Sequence, residues 1–377
     1  MNRAFPRDLT LTRFPVSGKP LSLPSQFTRF DRRSTAVALP AEPTPRWLVD
    51  VTYSANKGTH FITSLYNYNE FDPQYLSLGR TLLDNVRNPY AGIVPGALGA
   101  ANITRRQSLL PFPYYNQVSV IAPHMGNYIS HLLLLSMEKK TAHGLTLLFS
   151  YTGGKLISDA LQLPQSDFGE NAGSMSGFQS GKFNRRAERS VDPQDVSQRA
   201  IVSGMYELPF GPRKRWQSSS AVINRLVGGW QINAIGTLQS GLPIGVTGAN
   251  NYLATRPNST GQSPALSNRT SAKWFDTEAF FNPPDFTYGN LGRTLPDVRS
   301  PGTVDLTVSL LKTTQITERV NLQFRAEAFN MLNHVNLGLP GPGFVAGANG
   351  KNSSGSFGVI SSAREPRQIQ FGLKLRF

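Results

Sequence analysis

The strongest constraint on this chain is the pattern of residues 368–377, in which apolar and polar side chains alternate without a break. Ile369, Phe371, Leu373, Leu375 and Phe377 share one face, and polar residues or glycine share the other. A period of two predicts a β-strand with one apolar and one polar face. The last residue of the pattern is aromatic, so the apolar face continues to the end of the strand.

Seven further segments show the same alternation. Their apolar faces cover 47–53, 133–137, 145–151, 200–208, 230–238, 304–310 and 320–328. Counted with their polar ends, the segments are about nine to twelve residues long, which is the length that a tilted strand needs to cross a bilayer. Arg199, Glu207, Arg325 and Lys374 fall on the polar faces, where a water-filled interior would accept their charges.

The connections between these segments alternate in length along the chain. Short or moderate connections at 139–143, 209–228 and 313–316 alternate with long ones at 153–198, 240–302 and 330–365. This rhythm is typical of a membrane barrel, in which the periplasmic turns are short and the extracellular loops are long. It predicts an all-β fold, an antiparallel transmembrane β-barrel, whose last strand ends on the periplasmic side. A soluble β-sandwich could share the alternation but has no reason to keep this rhythm.

The composition fits an all-β chain with long connections and argues against several functions. Of the 377 residues, 34 are glycine and 27 are proline, whereas charged residues make up only 16%. Cysteine is absent, so the chain has neither disulfides nor thiolate metal sites. The formal charge of +15 would suit nucleic acid, but the basic residues are scattered and form no aromatic-basic surface. No nucleic-acid partner is expected.

Motifs for catalysis or cofactor binding are not found in the sequence. The five histidines form no metal-binding pair, and the stretch 149–156 lacks the first glycine and the Ser or Thr of a phosphate-binding loop. No Gly-x-Ser-x-Gly motif surrounds a plausible nucleophile. We therefore expect neither a cofactor nor a metal, and we expect that the protein is not an enzyme, although enzymes do occur on membrane barrels.

The beginning of the chain conflicts with the barrel interpretation. Residues 1–8 carry charge and proline where a secretory signal needs an apolar core, and no run of about 18 apolar residues could form a membrane helix. A barrel protein must cross the inner membrane, which requires a signal. We therefore expect either that the chain is a fragment whose signal lies upstream or that the barrel interpretation is wrong.

Several short stretches, in order along the chain, resemble one protein family. The run 322–334 reads LQFRAEAFNMLNH, and FGVI at 357–360 and PRQIQF at 366–371 follow it. Further stretches are YELPFG at 206–211, GGWQ at 228–231, SGLP at 240–243 and the pair Trp274-Phe275. Together they are similar to the C-terminal part of Oar-like TonB-dependent receptors, over about residues 46–377.

This resemblance implies a large outer-membrane transporter. Members of the family form a barrel of about 22 strands and carry an N-terminal plug and a segment that contacts TonB. Residues 46–377 are therefore expected to be the C-terminal part of such a barrel, whereas the Arg- and Pro-rich residues 1–45 are left unassigned as a disordered segment or a misplaced start. The expected location is the cell outer membrane. The expected partners are outer-membrane lipid, an unknown ligand, the barrel-assembly machinery, and TonB through a plug that the sequence does not show.

Two groups of residues are candidates for function. The aromatic residues Trp274, Phe275 and Tyr288 lie in the longest predicted loop, where they could contact a ligand or merely pack the loop. The resemblance implies that the terminal strand is the signal read by the barrel-assembly machinery. The residues of that signal are Phe371, Leu373, Leu375 and Phe377.

The expected function is ligand binding at the extracellular loops for energised uptake. Two alternatives stay open, a structural or adhesive barrel that transports nothing and a soluble all-β binding protein. A membrane sheet of eight strands would also leave two edges of unpaired backbone in lipid. We therefore expect that it closes on itself, that it joins further strands, or that the chain is not expressed in this form.

Overall fold

The structure of the chain, a computed structural model, describes residues 33–44, 47–62, 66–120, 123–142, 144–159 and 182–377. Its main element is an antiparallel sheet in which nine long strands follow one another in sequence order. A tenth, short strand, Ser190–Val191, pairs with the fourth of them. The long strands are β1 (Arg33–Thr44), β2 (Trp47–Ile62), β3 (His124–Ala142), β4 (Leu145–Ser158), β5 (Gln198–Glu207), β6 (Trp230–Gln239), β7 (Thr303–Gln315), β8 (Asn321–Phe329) and β9 (Gln368–Arg376).

The predicted apolar faces fall into register on one side of the sheet, which we call the apolar face. One row across it consists of Val49, Met137, Phe149, Val202, Gly236 and Leu306. The next row consists of Val51, Leu135, Tyr151, Ala200, Leu238 and Val304. On the opposite, polar face a row contains Asp50, Ser136, Ser150, Ile201, Thr237 and Asp305. All eight predicted strands and the antiparallel all-β fold class are confirmed.

Strand β1 has no counterpart among the predicted strands. It pairs with β2, from Arg33 opposite Lys57 to Thr44 opposite Trp47. It contains Pro40, which cannot donate a backbone hydrogen bond and is therefore tolerated only at the edge of a sheet. Residues 1–32 lie outside the described residues. The domain boundary near residue 45 therefore remains a prediction.

The connections leave the sheet at two opposite rims. At the short-turn rim lie the connections 45–46, 143–144, 208–229 and 316–320. At the long-loop rim lie the connections 63–123, 159–197, 240–302 and 330–367. The predicted alternation of short and long connections is thus confirmed, and β9 ends at the short-turn rim.

The sheet is open, with β1 at one edge and β9 at the other. Within the described residues, neither strand pairs with a further strand on its outer side. Both run from the long-loop rim to the short-turn rim. The side chains of β9 are exposed along its whole length. The sheet therefore does not close on itself.

The connections contain only short elements within the described residues. Their helices are α1 (Arg105–Ser108) and α2 (Ala221–Val227), and their 3-10 helices are Pro73–Leu83, Gly96–Gly99, Arg185–Glu188 and Thr277–Ala279. Their short strands pair Tyr66–Asn67 with Ser119–Val120, Asn85–Arg87 with Asn102–Thr104, and Asn258–Ser259 with Phe280–Phe281. No helix in the described part of the chain is long and apolar enough to cross a membrane.

The buried apolar side chains of the described residues lie in the long connections. The larger cluster combines residues of the connections 240–302 and 330–367, and we call it the loop core. Its buried members are Ile244, Val246, Phe275, Ala279, Phe280, Leu291, Leu295, Val298, Phe344 and Phe357. A smaller cluster of Phe71, Leu82 and Phe286 joins the connections 63–123 and 240–302.

Candidate ligand-binding loops

Phe275 lies at the centre of the loop core. Its side chain is 0% exposed. Its ring meets the rings of Phe280 and Phe357 edge to face, with centroids 5.9 and 5.1 Å away, and these two rings meet each other at 5.5 Å. Edge-to-face contacts of this kind stabilise aromatic clusters. Of the two alternatives for Phe275, ligand contact or packing of the loop, the structure favours packing, because the ring lies in the loop core and does not reach the surface.

Trp274, its neighbour, is half-buried against the same core. Its Nε1 donates a hydrogen bond of 2.7 Å to the carbonyl of Arg299, and the guanidinium of Arg269 lies 5.6 Å from the ring centroid. The ring also lines an open cleft of about 660 Å³ at the long-loop rim, together with Arg199 and His334. Trp274 thus packs the loop with part of its ring and faces a cleft with the rest.

Tyr288 lines a cavity of about 340 Å³ between the connections 63–123 and 240–302, which we call the Tyr288 cavity. Most of its other lining side chains can form hydrogen bonds. They include Asn67, Asn69, Glu70, Thr104, Arg106, Gln107 and Asn116. The volume falls at the lower end of the range of about 300–1,000 Å³ for small-molecule sites. Of the three predicted contact residues, Tyr288 has the most suitable surroundings for a polar ligand.

Asn69 holds one wall of this cavity in place. It is buried, and its Nδ2 donates to the carbonyls of Phe112 and Tyr115 at 3.0 and 2.9 Å. Its Oδ1 accepts a hydrogen bond of 2.9 Å from the amide of Phe112. A side chain that satisfies several backbone groups fixes a loop that has no regular hydrogen-bonding pattern of its own. The cavity therefore has a positioned wall.

Arg106 supplies the positive charge of the Tyr288 cavity. Its Nη1 donates a hydrogen bond of 2.9 Å to the carbonyl of Tyr252, and its guanidinium lies 5.9 Å from the ring centroid of Phe71. Partial burial lowers the pKa of Arg106 from its usual value, and the nearby phenol of Tyr288 acts in the opposite direction. Arginine nevertheless remains a cation at neutral pH. The cavity thus offers one cation among mostly uncharged donors and acceptors.

A buried ionic group joins the connection 159–197 to the connection 240–302. Nη2 of Arg256 lies 3.0 Å from Oε1 of Glu188, and both side chains are fully buried. Arg293, also buried, donates hydrogen bonds of 2.5 and 2.8 Å to the carbonyls of Glu188 and Ser158. Burial lowers the pKa of Arg256, and the carboxylate of Glu188 partly offsets this effect. Sequence reasoning missed this group, because partners so far apart in the chain carry no local signal.

The predicted assembly residues lie on the apolar face of β9, except Phe377, which follows the strand. Phe371 stands opposite Ala326 in register and stacks on Phe324 with a centroid distance of 6.3 Å. Leu373 and Leu375 continue the same face, and Phe377 is 96% exposed. Their role in assembly remains a prediction.

No cluster of three or more His, Asp or Glu side chains suitable for a metal ion occurs within the described ranges. Two groups of polar side chains stand out at the long-loop rim, those that line the Tyr288 cavity and those of the buried ionic group. The arrangement is suited to holding a ligand by hydrogen bonds and stacking.

The meander with one continuous apolar face and one polar face defines the wall of a membrane β-barrel. The chain belongs to the outer membrane β-barrel domain family, whose profile matches residues 11–370. It is therefore a protein of the cell outer membrane. No curated protein sequence matches it.

Two solved structures are similar to this chain. One is the outer membrane transporter YddB from Escherichia coli, at 8% identity and a TM-score of 0.41, with 91% of this chain and 32% of that chain covered. The other is FpvA from P. aeruginosa, in complex with a heterologous pyoverdine and iron, at 11% identity and a TM-score of 0.28, with 91% of this chain and 30% of that chain covered. This chain thus spans about a third of the length of either protein.

Proposed function

We propose that this chain is the C-terminal part of a TonB-dependent receptor barrel, whose long loops bind a ligand outside the cell for energised uptake. The observation that carries the proposal is the shared core of the connections 240–302 and 330–367, which turns two long loops into one packed body over one rim of the sheet. Packed loops on a rigid scaffold are typical binding surfaces. In this proposal the short-turn rim faces the periplasm.

The Tyr288 cavity is the best supported binding site in this proposal. Its amide side chains, its phenol and the guanidinium of Arg106 can donate and accept hydrogen bonds in several directions. A small polar ligand, or the polar part of a larger one, fits this chemistry. We propose that the protein binds and transports a ligand and catalyses no reaction.

Energised uptake requires more than the wall of the barrel. In the receptors that the sequence resembles, a plug fills the barrel and connects it to TonB. The proposal therefore includes a plug, TonB and the barrel-assembly machinery as partners of the whole receptor.

A second candidate is an adhesive barrel that transports nothing. It is favoured by apolar side chains at the long-loop rim that are exposed, namely Ile93, Leu332, Val335 and Val345. Exposed apolar groups in loops are suited to contacts with a macromolecule. The two candidates differ in the size of what they bind.

A capture experiment tests the proposal and separates the two candidates. The purified full chain is incubated with the low-molecular-weight fraction of spent culture medium, and the compounds that remain bound are identified by mass spectrometry. The cavity variant is Tyr288→Ala, and the matched control is Tyr115→Ala, which removes an exposed ring of the connection 63–123 outside the cavity.

A compound enriched by the wild type and by Tyr115→Ala, but not by Tyr288→Ala, supports the proposal. If no small compound is enriched by any of the three proteins, the Tyr288 cavity is not a binding site and the proposal fails. Binding of a surface protein or polysaccharide alone would then favour the adhesive barrel.

A further inference from the structure

Helix α2, in the connection 208–229, buries Asn224 and exposes its large apolar side chains. Asn224 is 8% exposed, and it accepts a hydrogen bond of 2.8 Å from the amide of Ser218 and donates one of 2.6 Å to its carbonyl. Val222, Ile223 and Leu226 are 68%, 48% and 64% exposed. A helix at the surface of a soluble protein shows the reverse arrangement. The outer side of α2 therefore needs an apolar medium.

The end of α2 is held against the apolar face of the sheet. Nζ of Lys312 donates hydrogen bonds to the carbonyls of Arg225, Leu226 and Gly228 at 3.0, 2.7 and 2.9 Å. Nε1 of Trp230 donates one of 3.1 Å to the carbonyl of Leu226. Lys312 and Trp230 stand opposite each other in register on the apolar face, with Nζ 4.8 Å from the ring centroid. The outer side of α2 is thus continuous with the surface that contacts lipid.

A second pair of the same kind lies on the same rim. Lys139 stands opposite Trp47 in register, with its Nζ 5.4 Å from the ring centroid. Lysine and tryptophan are both suited to the boundary of a bilayer, because their stems or rings lie in apolar surroundings while the polar groups reach the headgroups. The positions of the two pairs indicate that the short-turn rim lies in the headgroup region of the membrane, and α2 lies at the level of the Lys312–Trp230 pair.

The residues around α2 carry an excess of positive charge. Arg213, Arg215 and Arg225 are exposed, and none of them forms an ion pair with a described residue. Lys214 pairs with Glu207 at 2.7 Å. One further carboxylate, that of Glu318, lines the cleft between the connections 208–229 and 316–320. The three arginines are therefore available to phosphate groups.

We propose that residues 209–228 form a membrane-surface anchor that binds anionic phospholipid. The apolar side of α2 inserts into the leaflet at the short-turn rim, and Arg213, Arg215 and Arg225 bind the phosphate headgroups. The occupant is lipid and not another protein, because the exposed side of α2 continues the apolar face of a membrane barrel. This inference does not depend on the ligand or on transport.

Fluorescence quenching with single cysteines tests the anchor. The chain has no cysteine of its own, so each introduced cysteine carries the only label. Leu226→Cys and Val222→Cys place a bimane label on α2, and Val345→Cys places it on a residue of similar exposure at the long-loop rim. The full chain is reconstituted into phosphatidylcholine vesicles that contain spin-labelled phosphatidylglycerol or spin-labelled phosphatidylcholine as the quencher. Aqueous iodide serves as the second quencher.

We expect the spin-labelled lipids to quench the fluorescence of labels at positions 226 and 222, and iodide to quench the fluorescence of the label at position 345. We also expect spin-labelled phosphatidylglycerol to quench the label at 226 more strongly than spin-labelled phosphatidylcholine does. The local enrichment of phosphatidylglycerol should be about fivefold for each arginine at the membrane surface. The variant Arg213→Gln, Arg215→Gln, Arg225→Gln should abolish this preference but leave the quenching by lipid intact. The matched variant Arg87→Gln, Arg186→Gln, Arg189→Gln removes the same charge at the long-loop rim and should retain the preference.

Three outcomes would overturn the proposal. The first is iodide quenching at 226 and 222 as strong as at 345, which would place α2 in water. The second is equal quenching at 226 by the two lipids in the otherwise unchanged chain. The third is an equal loss of preference in the two arginine variants, which would assign the effect to net charge. Because the substituted residues of the connection 208–229 and the control residues are exposed, these substitutions leave the cores intact.

Discussion

The sheet and the long loops of this protein place their apolar side chains in opposite ways. In the sheet, the apolar side chains of β2–β9 share one face in register, and the buried apolar residues of the described chain lie in the long connections. In the loops, ten buried apolar side chains form a core as a soluble domain would. In a soluble protein the buried apolar residues usually belong to strands or helices, and the loops lie at the surface, so the arrangement here is the reverse.

This difference shows that each region depends on a different partner. The sheet needs lipid to cover its apolar face, because apart from the end of α2 at the short-turn rim no described element packs against it. The loops bury their apolar side chains against each other. A substitution in one region should therefore have consequences that the same change in the other region lacks.

The largest effect is expected from Phe275→Ala in the loop core. Removing a fully buried ring leaves a cavity and should lower the stability of the loops by about 3–5 kcal/mol. Hydrogen exchange of the amides in the connections 240–302 and 330–367 should accelerate strongly, while exchange in β5–β8 stays slow. The control Trp274→Ala, at a half-buried neighbour, should have a smaller effect. Equal acceleration in the strands would show that the two regions do not fold independently.

A slightly smaller effect is expected from Arg256→Met. The substitution leaves the carboxylate of Glu188 buried without its ion-pair partner, which should cost about 3 kcal/mol, at the low end for a broken buried pair because Arg293 stays close. Limited proteolysis should then cut the connections 182–197 and 240–302 faster. The control Arg80→Met breaks the exposed pair with Asp285 and should not change the pattern. Unchanged cleavage of Arg256→Met would mean that the buried pair does not hold the loops.

The two faces of the sheet should differ in their tolerance of charge. Leu306 lies on the apolar face, in a middle row, and Thr307 follows it on the polar face. Leu306→Arg should cost about 2–4 kcal/mol in a bilayer, whereas Thr307→Arg should cost little. Urea unfolding in lipid vesicles measures both values. Similar costs for the two variants would show that the two faces of the sheet have been assigned wrongly.

The smallest effect on the folded protein is expected from the removal of Phe377. The ring is 96% exposed and follows the end of β9, so its loss should hardly change stability. If the terminal strand is the assembly signal, however, the yield of heat-modifiable protein in the outer-membrane fraction should fall. Phe377→Tyr keeps an aromatic ring and should restore the yield. An unchanged yield without Phe377 would refute the role in assembly.

The strands of the sheet could be predicted because their pattern is local. Residues two apart share a face, so the sequence of β7 alone shows that Leu306 and Thr307 point in opposite directions. The same rule fixes the register, because a slip by one residue would move every apolar side chain to the polar face. The rule failed for β1, whose Pro40 is a signal against a strand anywhere except at an edge.

The candidate site could be predicted only in outline. The sequence indicates that ligand contacts belong to long loops, but it does not show which of two adjacent rings, Trp274 or Phe275, turns inward. That choice depends on Phe357, which belongs to another connection. The pairing of Arg256 with Glu188 likewise joins residues 68 positions apart. Irregular loops have no period from which such contacts follow.

The two open edges decide whether the number of strands that complete the barrel is odd or even. Strands β1 and β9 both run toward the short-turn rim, so they could pair directly with each other only as parallel strands. A ring in which every neighbour is antiparallel has an even number of strands. Nine is odd. The strands that complete this wall must therefore come in an odd number, whether they belong to this polypeptide or to another.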